Sequence, residues 1–148
     1  MALEALDPKL PINPSQRQVE AFLHLHVSDG FCFVNLHEYH EIAQYPKGTL
    51  SGPGVSGRAA YHRYLERVRS LLSQIPGARI LTIPCELVMI GTGHWHELVI
   101  GYYPSRDCAL RLNTLPGYEE VVPHREAALK AVLTLTVKGD MRTLCAAP

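Results

Sequence analysis

The stretch from Trp95 to Arg125 constrains the fold more than any other part of the chain. Its apolar run over 98–100 is rich in strand formers and leads to a break at Pro104–Ser105, after which helix formers follow. A strand that stops at a proline, with a serine able to cap a helix next to it, is typical of a strand-to-helix transition. Pro116–Gly117 marks a turn into a second helix. The stretch therefore predicts a strand over 95–103 and helices over 105–114 and 118–130.

The other elements are predicted from the spacing of apolar residues and from the positions of Gly, Pro and Ser. Apolar residues recur at helical spacing after Ser15 and again over 58–72, where charged residues occupy the opposite side. The segment 43–57 is dense in Gly, Pro and Ser, which predicts a long loop of the kind that often acts as a lid. Strands are expected over 31–39, 78–90 with a bend at Pro84, 95–103 and 131–137, with a hairpin turn at 91–94.

This order is β-α-β-β-α-β behind an extra N-terminal helix. It predicts an α+β fold in which a four-stranded antiparallel sheet carries its helices on one face. The other face is apolar and uncovered, so we expect a second copy of the chain to cover it in a homodimer. We expect one domain over 15–138, with its core in 31–138, between an N-terminal arm (1–14) and a C-terminal tail (139–148).

The charge balance argues against several partners. Lysine plus arginine and aspartate plus glutamate number 14 each, so no broad cationic field exists to attract nucleic acid. No apolar run approaches the roughly 18 residues that a membrane-spanning helix needs. The four cysteines are widely spaced and form no CxxC pair, which favours free thiols in a reducing compartment. We therefore expect a cytoplasmic protein with neither nucleic-acid nor membrane partners.

A series of short motifs across residues 31–138 occurs in the order of a known family. The motifs are Phe33-Val34-Asn35-Leu36, Ser56-Gly57-Arg58-Ala59-Ala60-Tyr61, Trp95, Glu97, Tyr103-Pro104-Ser105-Arg106 and His124-Arg125-Glu126-Ala127-Ala128-Leu129. They resemble the family named domain of unknown function 1330 (DUF1330). The resemblance implies a ferredoxin-like monomer of the dimeric α+β barrel superfamily, which pairs sheet to sheet. Relatives in that superfamily include haem enzymes and cofactor-free monooxygenases, isomerases, decarboxylases and dehydratases acting on aromatic or polyketide-like molecules, with the ligand held between sheet and helices.

The sequence departs from the family pattern at two strand ends. His37 and Glu38 follow the first motif where the family tends to have an apolar and a basic residue, and His96 follows Trp95 where an aspartate is usual. The additional imidazoles indicate either an activity of this protein's own or sequence drift.

The first strand provides the candidate catalytic residues. Because side chains alternate along a strand, Asn35, His37 and Tyr39 share one face and run toward the 43–57 loop. We expect His37, then His40, to act as general base or acid, assisted by Tyr39 or Asn35 at a carbonyl or enolate oxygen. The alternative is a surface strand end with solvated histidines and an Asn35 that satisfies loop backbone groups.

Further residues are assigned to substrate binding with alternatives left open. Tyr61 and Tyr64 either project hydroxyls into the same pocket or are core aromatics. Arg125 either holds a ligand carboxylate or ties its helix to an acid such as Glu119. Trp95 and His96, at the start of the third strand, complete the predicted set of Asn35, Tyr61, Tyr64, Trp95, His96 and Arg125.

The sequence contains no complete motif for a cofactor or a metal. His94 and His96 would point to the same side of a strand, yet two ligands do not make a metal site without a third such as Glu97 or His124. The sequence has no GxSxG motif and no CxxCH haem motif, and its loose GxGxxG over 52–57 lacks a preceding strand. We therefore expect neither a cofactor nor a metal.

Two functions remain from the sequence. The first is a cofactor-independent enzyme that uses histidine acid–base chemistry for isomerisation, cyclisation, dehydration or decarboxylation of an apolar aromatic or polyketide-like substrate. The second is a non-catalytic domain whose cavity binds a small ligand. Two convergent ionisable groups within hydrogen-bond reach would favour the enzyme.

Overall fold

The elements appear in the predicted order, with differences at their ends. The computed structural model describes residues 10–27, 29–49 and 54–139, so most of the predicted N-terminal arm and tail, and part of the 43–57 loop, lie outside the described residues. The elements are α1 (Gln16–His24), β1 (Phe31–Tyr39), α2 (Gly57–Leu72), β2 (Arg79–Pro84), β3 (Glu97–Tyr103), α3 (Arg106–Leu112), α4 (Val122–Ala128) and β4 (Leu129–Lys138).

The four strands form one sheet in the order β2-β3-β1-β4. Each neighbouring pair is antiparallel. A split β-α-β-β-α-β chain with this strand order is the ferredoxin-like fold, so the predicted fold class is confirmed. Among the described residues, no helix is long and apolar enough to cross a bilayer.

The face that carries the helices forms the core. Phe31 and Val99 of the sheet pack there with Leu65, Val68 and Leu71 of α2, all at most 2% exposed. α1 covers the same face, since the Phe22 ring centroid lies 5.6 Å from that of Phe31. The predicted apolar stripe of α2 is therefore the principal cover of the sheet.

The opposite face, here called the open face, is built from three rows of four side chains. Strand pairing aligns Ile83, Leu98, Leu36 and Leu133 in the first row, Leu81, Ile100, Val34 and Leu135 in the second, and Arg79, Tyr102, Cys32 and Val137 in the third. All but Arg79 are largely apolar, and the buried cluster on this side consists of strand residues only. Among the described residues, the predicted uncovered apolar face is thus present.

The prediction of β2 and its hairpin was wrong. β2 ends at Pro84 instead of residue 90, and a connection over 85–96 replaces the tight turn predicted at 91–94. One further backbone bond, from Cys85 N to His96 O at 3.0 Å, closes the base of this connection. Proline lacks an N–H group, and on this edge strand it stands where regular pairing stops.

Three other boundaries also differ. α1 ends at His24, and of the apolar residues that recur at helical spacing after Ser15, Val19 and Leu23 are exposed while Phe22 packs on the core. The chain forms turns before α4 begins at Val122, instead of a helix from Tyr118. β4 begins at Leu129, directly after α4. The Leu129 side chain packs in the core and is 1% exposed.

Helix caps and one close backbone contact fix the helix and strand ends that surround the site. Ser15 and Gln18 form the capping box of α1, and Ser56 accepts the Ala59 N–H at the start of α2. The amide of Gly57 donates to His40 O at 3.0 Å, and a Cβ at this position would lie 2.8 Å from Ala128 O. Only glycine allows α2 to begin this close to the end of β1.

Candidate active site

A buried carboxylate lies at the centre of the polar cluster on the helix side of the sheet. Glu97, the first residue of β3, is 2% exposed because it shares the inward face with Val99 and Tyr103. The Tyr39 hydroxyl donates to Glu97 Oε2 at 2.6 Å. A buried charge has to be compensated by partners, and the helix α2 provides two of them.

Arg58 and His62 lie four residues apart on α2 and therefore on one side of the helix. His62 Nε2 lies 3.1 and 3.2 Å from the two Glu97 oxygens. Arg58 Nη1 lies 3.8 Å from Glu97 Oε2, and Nη2 donates to His96 O at 3.1 Å. The two side chains are 46% and 43% exposed, so they connect the buried carboxylate with solvent.

His37 lies behind Tyr39 and is 2% exposed. Its Nδ1 is 3.4 Å from the Tyr39 hydroxyl, and its ring packs edge-on against Tyr61 with centroids 4.6 Å apart. Burial, and then the positive charge of Arg125, lower the pKa of His37 from 6.5 to about 3. His37 is therefore a neutral hydrogen-bonding group near pH 7.

Burial also changes the tyrosines of the cluster. It raises the pKa of Tyr39, and the hydrogen bond to the negative Glu97 raises it further. Burial likewise raises the pKa of Tyr61 and of Tyr64. All three hydroxyls stay protonated at neutral pH, so none of them acts as a base.

The cluster brings together only part of the predicted site. Asn35 donates to Val99 O at 3.0 Å and accepts from Thr134 Oγ1 at 2.7 Å, so its amide joins the strands. The hydroxyl of Tyr64 bonds that of Tyr118 at 3.3 Å, in the core. His40 is partly buried, and its backbone links β1 to Ala128 and to the start of α2.

His96 and Trp95 lie in the 85–96 connection and not in a strand, contrary to the prediction. His96 Nδ1 accepts the Tyr39 backbone N–H at 2.9 Å, and the two rings stack with centroids 6.0 Å apart. The Trp95 indole donates to Thr92 O at 3.3 Å within the connection. His96 therefore belongs to the cluster, while Trp95 supports the loop beside it.

Arg125 fastens the segment that precedes α1. Its guanidinium donates to Asn13 Oδ1 at 2.9 Å and to Ile12 O at 2.6 Å. These bonds replace the predicted tie to Glu119. Arg125 also acts electrostatically on the buried cluster, since its charge is the second cause of the low pKa of His37.

The histidine pair considered for a metal does not form one side of a strand. His94 is exposed, and both histidines precede β3. Within residues 10–27, 29–49 and 54–139, no group of three or more His, Cys, Asp or Glu side chains is arranged to hold a metal ion.

Sequence reasoning missed Arg58 and His62 and considered Glu97 only as a metal ligand. One signal was available for Glu97: a charged residue on the same strand face as Val99 and Tyr103 is placed among core positions. For the helix pair the signal was weaker, because Arg58 and His62 fall at the polar edge of the α2 stripe.

The fold and site define a ferredoxin-like α+β protein in which a buried carboxylate at the start of the third strand pairs with a partly exposed histidine of α2. The chain is similar to the RPA0582 protein, whose methylated form is 25% identical, with 88% of this chain and 96% of that chain covered and a TM-score of 0.78. A second structure of RPA0582, a protein of unknown function from Rhodopseudomonas palustris, is 24% identical over 88% of this chain and 97% of that chain, with a TM-score of 0.76. A DABB-family protein with a ferredoxin-like fold from Mesorhizobium loti is 13% identical over 75% and 97% of the two chains, with a TM-score of 0.47.

No family model and no curated protein matches the chain. The expected membership in DUF1330 is therefore not confirmed, whereas the ferredoxin-like fold is. These similarities concern the fold and name no reaction for this chain.

Proposed function

We propose that the chain is a cofactor-independent enzyme that transfers a proton on a small, largely apolar substrate. The observation that supports this most is the bond of His62 Nε2 to both oxygens of Glu97, a carboxylate that is 2% exposed and also accepts from Tyr39. Two convergent ionisable groups, one buried and one reaching solvent, distinguish this cluster from an ordinary surface ion pair.

In this proposal, the contact with Glu97 makes Nδ1 of His62 the base. An ionised carboxylate only accepts hydrogen bonds, so Nε2 carries the proton and Nδ1 keeps its lone pair. Glu97 orients the ring and stabilises the imidazolium that forms when Nδ1 takes a proton. Tyr39 holds the carboxylate in place from the core side.

The reaction we propose begins at a carbon next to a carbonyl group. His62 removes the proton from this carbon, and the electron pair of the broken C–H bond moves into the carbonyl to give an enolate. The Arg58 guanidinium, 46% exposed beside the pair, binds the enolate oxygen. In a β,γ-unsaturated carbonyl compound, return of the proton from the His62 imidazolium to the γ-carbon gives isomerisation. In a β-hydroxy carbonyl compound, the enolate expels the β-hydroxyl, which takes that proton and leaves as water, to give dehydration.

The residues predicted from the first strand take a supporting role in this proposal. Catalysis by His37 or His40 stays a prediction that no observation tests. A pKa of about 3 makes His37 a poor base near neutrality, so we assign it to the positioning of the Tyr39 hydroxyl. Asn35, Tyr61, Tyr64, Trp95 and Arg125 likewise stay predictions as substrate contacts.

Membership in DUF1330, an aromatic or polyketide-like substrate and a cytoplasmic location are further parts of the proposal. Tyr61 packs edge-on against His37 and at a tilt against Tyr39, with the two tyrosine centroids 5.4 Å apart. These contacts place aromatic rings around the cluster, which supports an aromatic substrate. Within the part of the chain that the structure describes, Cys85 and Cys108 form no disulfide, which accords with a reducing compartment.

We also propose a homodimer formed through the open face. Leu133, Leu135 and Val137 of β4 are 44%, 51% and 42% exposed there. A contiguous apolar sheet face in water favours association, and a two-fold pair lets one patch cover the other.

Solvent deuterium exchange tests the proton transfer without knowledge of the natural substrate. Benzoylacetone and triacetic acid lactone, an aryl diketone and a polyketide-like pyrone, are incubated in D2O with the protein, and loss of the C–H signals is followed by NMR. We expect catalysed exchange, and a loss of about 100-fold or more in His62→Gln, the usual size of a general-base contribution.

Matched variants separate the roles. Glu97→Gln should also reduce the exchange rate, and His24→Gln, on the exposed α1, should leave it unchanged. If both compounds bind but His62→Gln exchanges them as fast as the unmodified protein, the proposed base is wrong. Binding without any catalysed exchange would favour the alternative of a non-catalytic ligand-binding domain.

A further inference from the structure

The connection 85–96 carries the most exposed apolar side chains among the described residues. Leu87, Met89 and Ile90 are 78%, 84% and 93% exposed. Three large apolar side chains within four residues are unusual on the surface of a protein that stays monomeric, and such patches mark contact sites.

This connection is held at its base. Cys85 N donates to His96 O at 3.0 Å, and His96 N donates to His37 O at 2.8 Å. On its C-terminal side, Trp95 lies so close to Gly93 that a Cβ at position 93 would meet the indole nitrogen at 2.8 Å. The apolar side chains therefore sit on a supported loop and stay largely exposed with respect to the described residues.

The open face alone is small for a stable dimer. Four strands about 4.8 Å apart and three rows about 6.8 Å apart give a flat footprint of about 400 Å². Cys32 and Ile100 within it are already 3% and 8% exposed in the monomer, so they have little surface left to bury. Stable interfaces bury about 800 Å² per partner, which requires contacts beyond the face itself.

We infer that the 85–96 loop is an arm that packs against a second copy of this chain and completes the dimer interface. The inference rests on the homodimer proposed above. The loop continues directly from β2, whose Ile83 ends the first row of the open face at 44% exposure, so the apolar surface runs from face to arm. The arm contains Glu86 but no lysine or arginine, which makes it a poor match for the anionic headgroups of a membrane.

Sedimentation analysis of the full chain tests the arm. The arm variant is Leu87→Ser/Met89→Ser/Ile90→Ser, and the matched control is Val19→Ser/Leu23→Ser/Leu25→Ser, three exposed apolar residues near α1. Burial of three such side chains predicts that the arm variant raises the dimer dissociation constant at least about 100-fold, while the control leaves it unchanged. A photo-crosslinker at position 90 should join the two subunits.

The face variant Leu135→Glu distinguishes the arm from the dimer itself. If it abolishes the dimer and the arm variant does not, the dimer stands and the arm is refuted. A protein that is monomeric at all concentrations refutes both. Binding of the arm to vesicles of equal parts phosphatidylcholine and phosphatidylserine, with an unchanged dimer constant in the arm variant, would replace the second copy by a membrane and also refute the inference.

Discussion

His37 offers a test of the buried cluster that needs no substrate. Its pKa of about 3 in the folded chain is far below the 6.5 of an unfolded histidine. Between these two values the unfolded chain binds a proton that the folded chain does not, so the free energy of unfolding falls as the pH is lowered through 6.5 toward 3. At about pH 4.5, two units below the unfolded value, the loss from this residue is about 2.7 kcal/mol relative to about pH 7.5.

The measurement compares His37→Phe with the unmodified protein by urea unfolding, followed by circular dichroism, at both pH values. The variant loses the hydrogen bond to Tyr39 at every pH, which gives a constant offset. The remaining difference should shift in favour of the variant by about 2.7 kcal/mol between about pH 7.5 and 4.5. His24→Phe, on the exposed α1, is measured in parallel and subtracts the effect of removing a histidine from the surface.

A constant difference between His37→Phe and the unmodified protein would refute the reasoning. NMR gives an independent readout, since the Hε1 resonance of His37 should not move between about pH 7.5 and 4.5. A midpoint near 6.5 would place His37 in solvent and restore it as a candidate base.

Three further predictions concern the supports of the site. Tyr39→Phe removes the shortest hydrogen bond to the buried Glu97 and leaves the carboxylate with its α2 partners only, so urea unfolding should show a loss of about 1–3 kcal/mol. Arg125→Gln removes a cation that lowers the pKa of His37, so the NMR midpoint of His37 should rise; an unchanged midpoint would contradict the assigned cause. Gly57→Ala places a methyl group against backbone atoms and should cost about 1–3 kcal/mol or more in urea unfolding; an unchanged stability would show that the start of α2 can shift.

Most of the fold was predictable because its signals are local. The break at Pro104–Ser105 predicts the end of a strand, and the apolar stripe over 58–72 predicts a helix, each from neighbouring residues alone. The alternation of Leu and Thr in β4 distinguishes its two faces. The 85–90 segment misled the prediction for the same reason. Its apolar residues favour a strand locally, but a strand also needs a partner, and β3 pairs with β2 no further than Pro84.

The site was predictable only where one strand defines it. A period of two correctly places His37 and Tyr39 on the same face of β1, and the structure shows that this is the helix side. The pair of Glu97 and His62 comes from two distant segments, and only the packing of α2 on the sheet brings them together. The sequence analysis also predicted His37 as a base from its residue type alone. Its low pKa arises mainly from burial, which the sequence does not show directly.

His96 links the two proposals. Its carbonyl oxygen accepts from Arg58 of the site and from the Cys85 backbone at the base of the arm, while its ring accepts from Tyr39. A contact that holds the arm against a partner therefore also holds the carbonyl that positions Arg58. In the proposed dimer, such a shared anchor gives the partner subunit a role in the proposed reaction, because Arg58 is the group proposed to bind the enolate oxygen. Loss of the partner would free the arm first and the guanidinium next, while the pair of Glu97 and His62, anchored in the core, would stay in place.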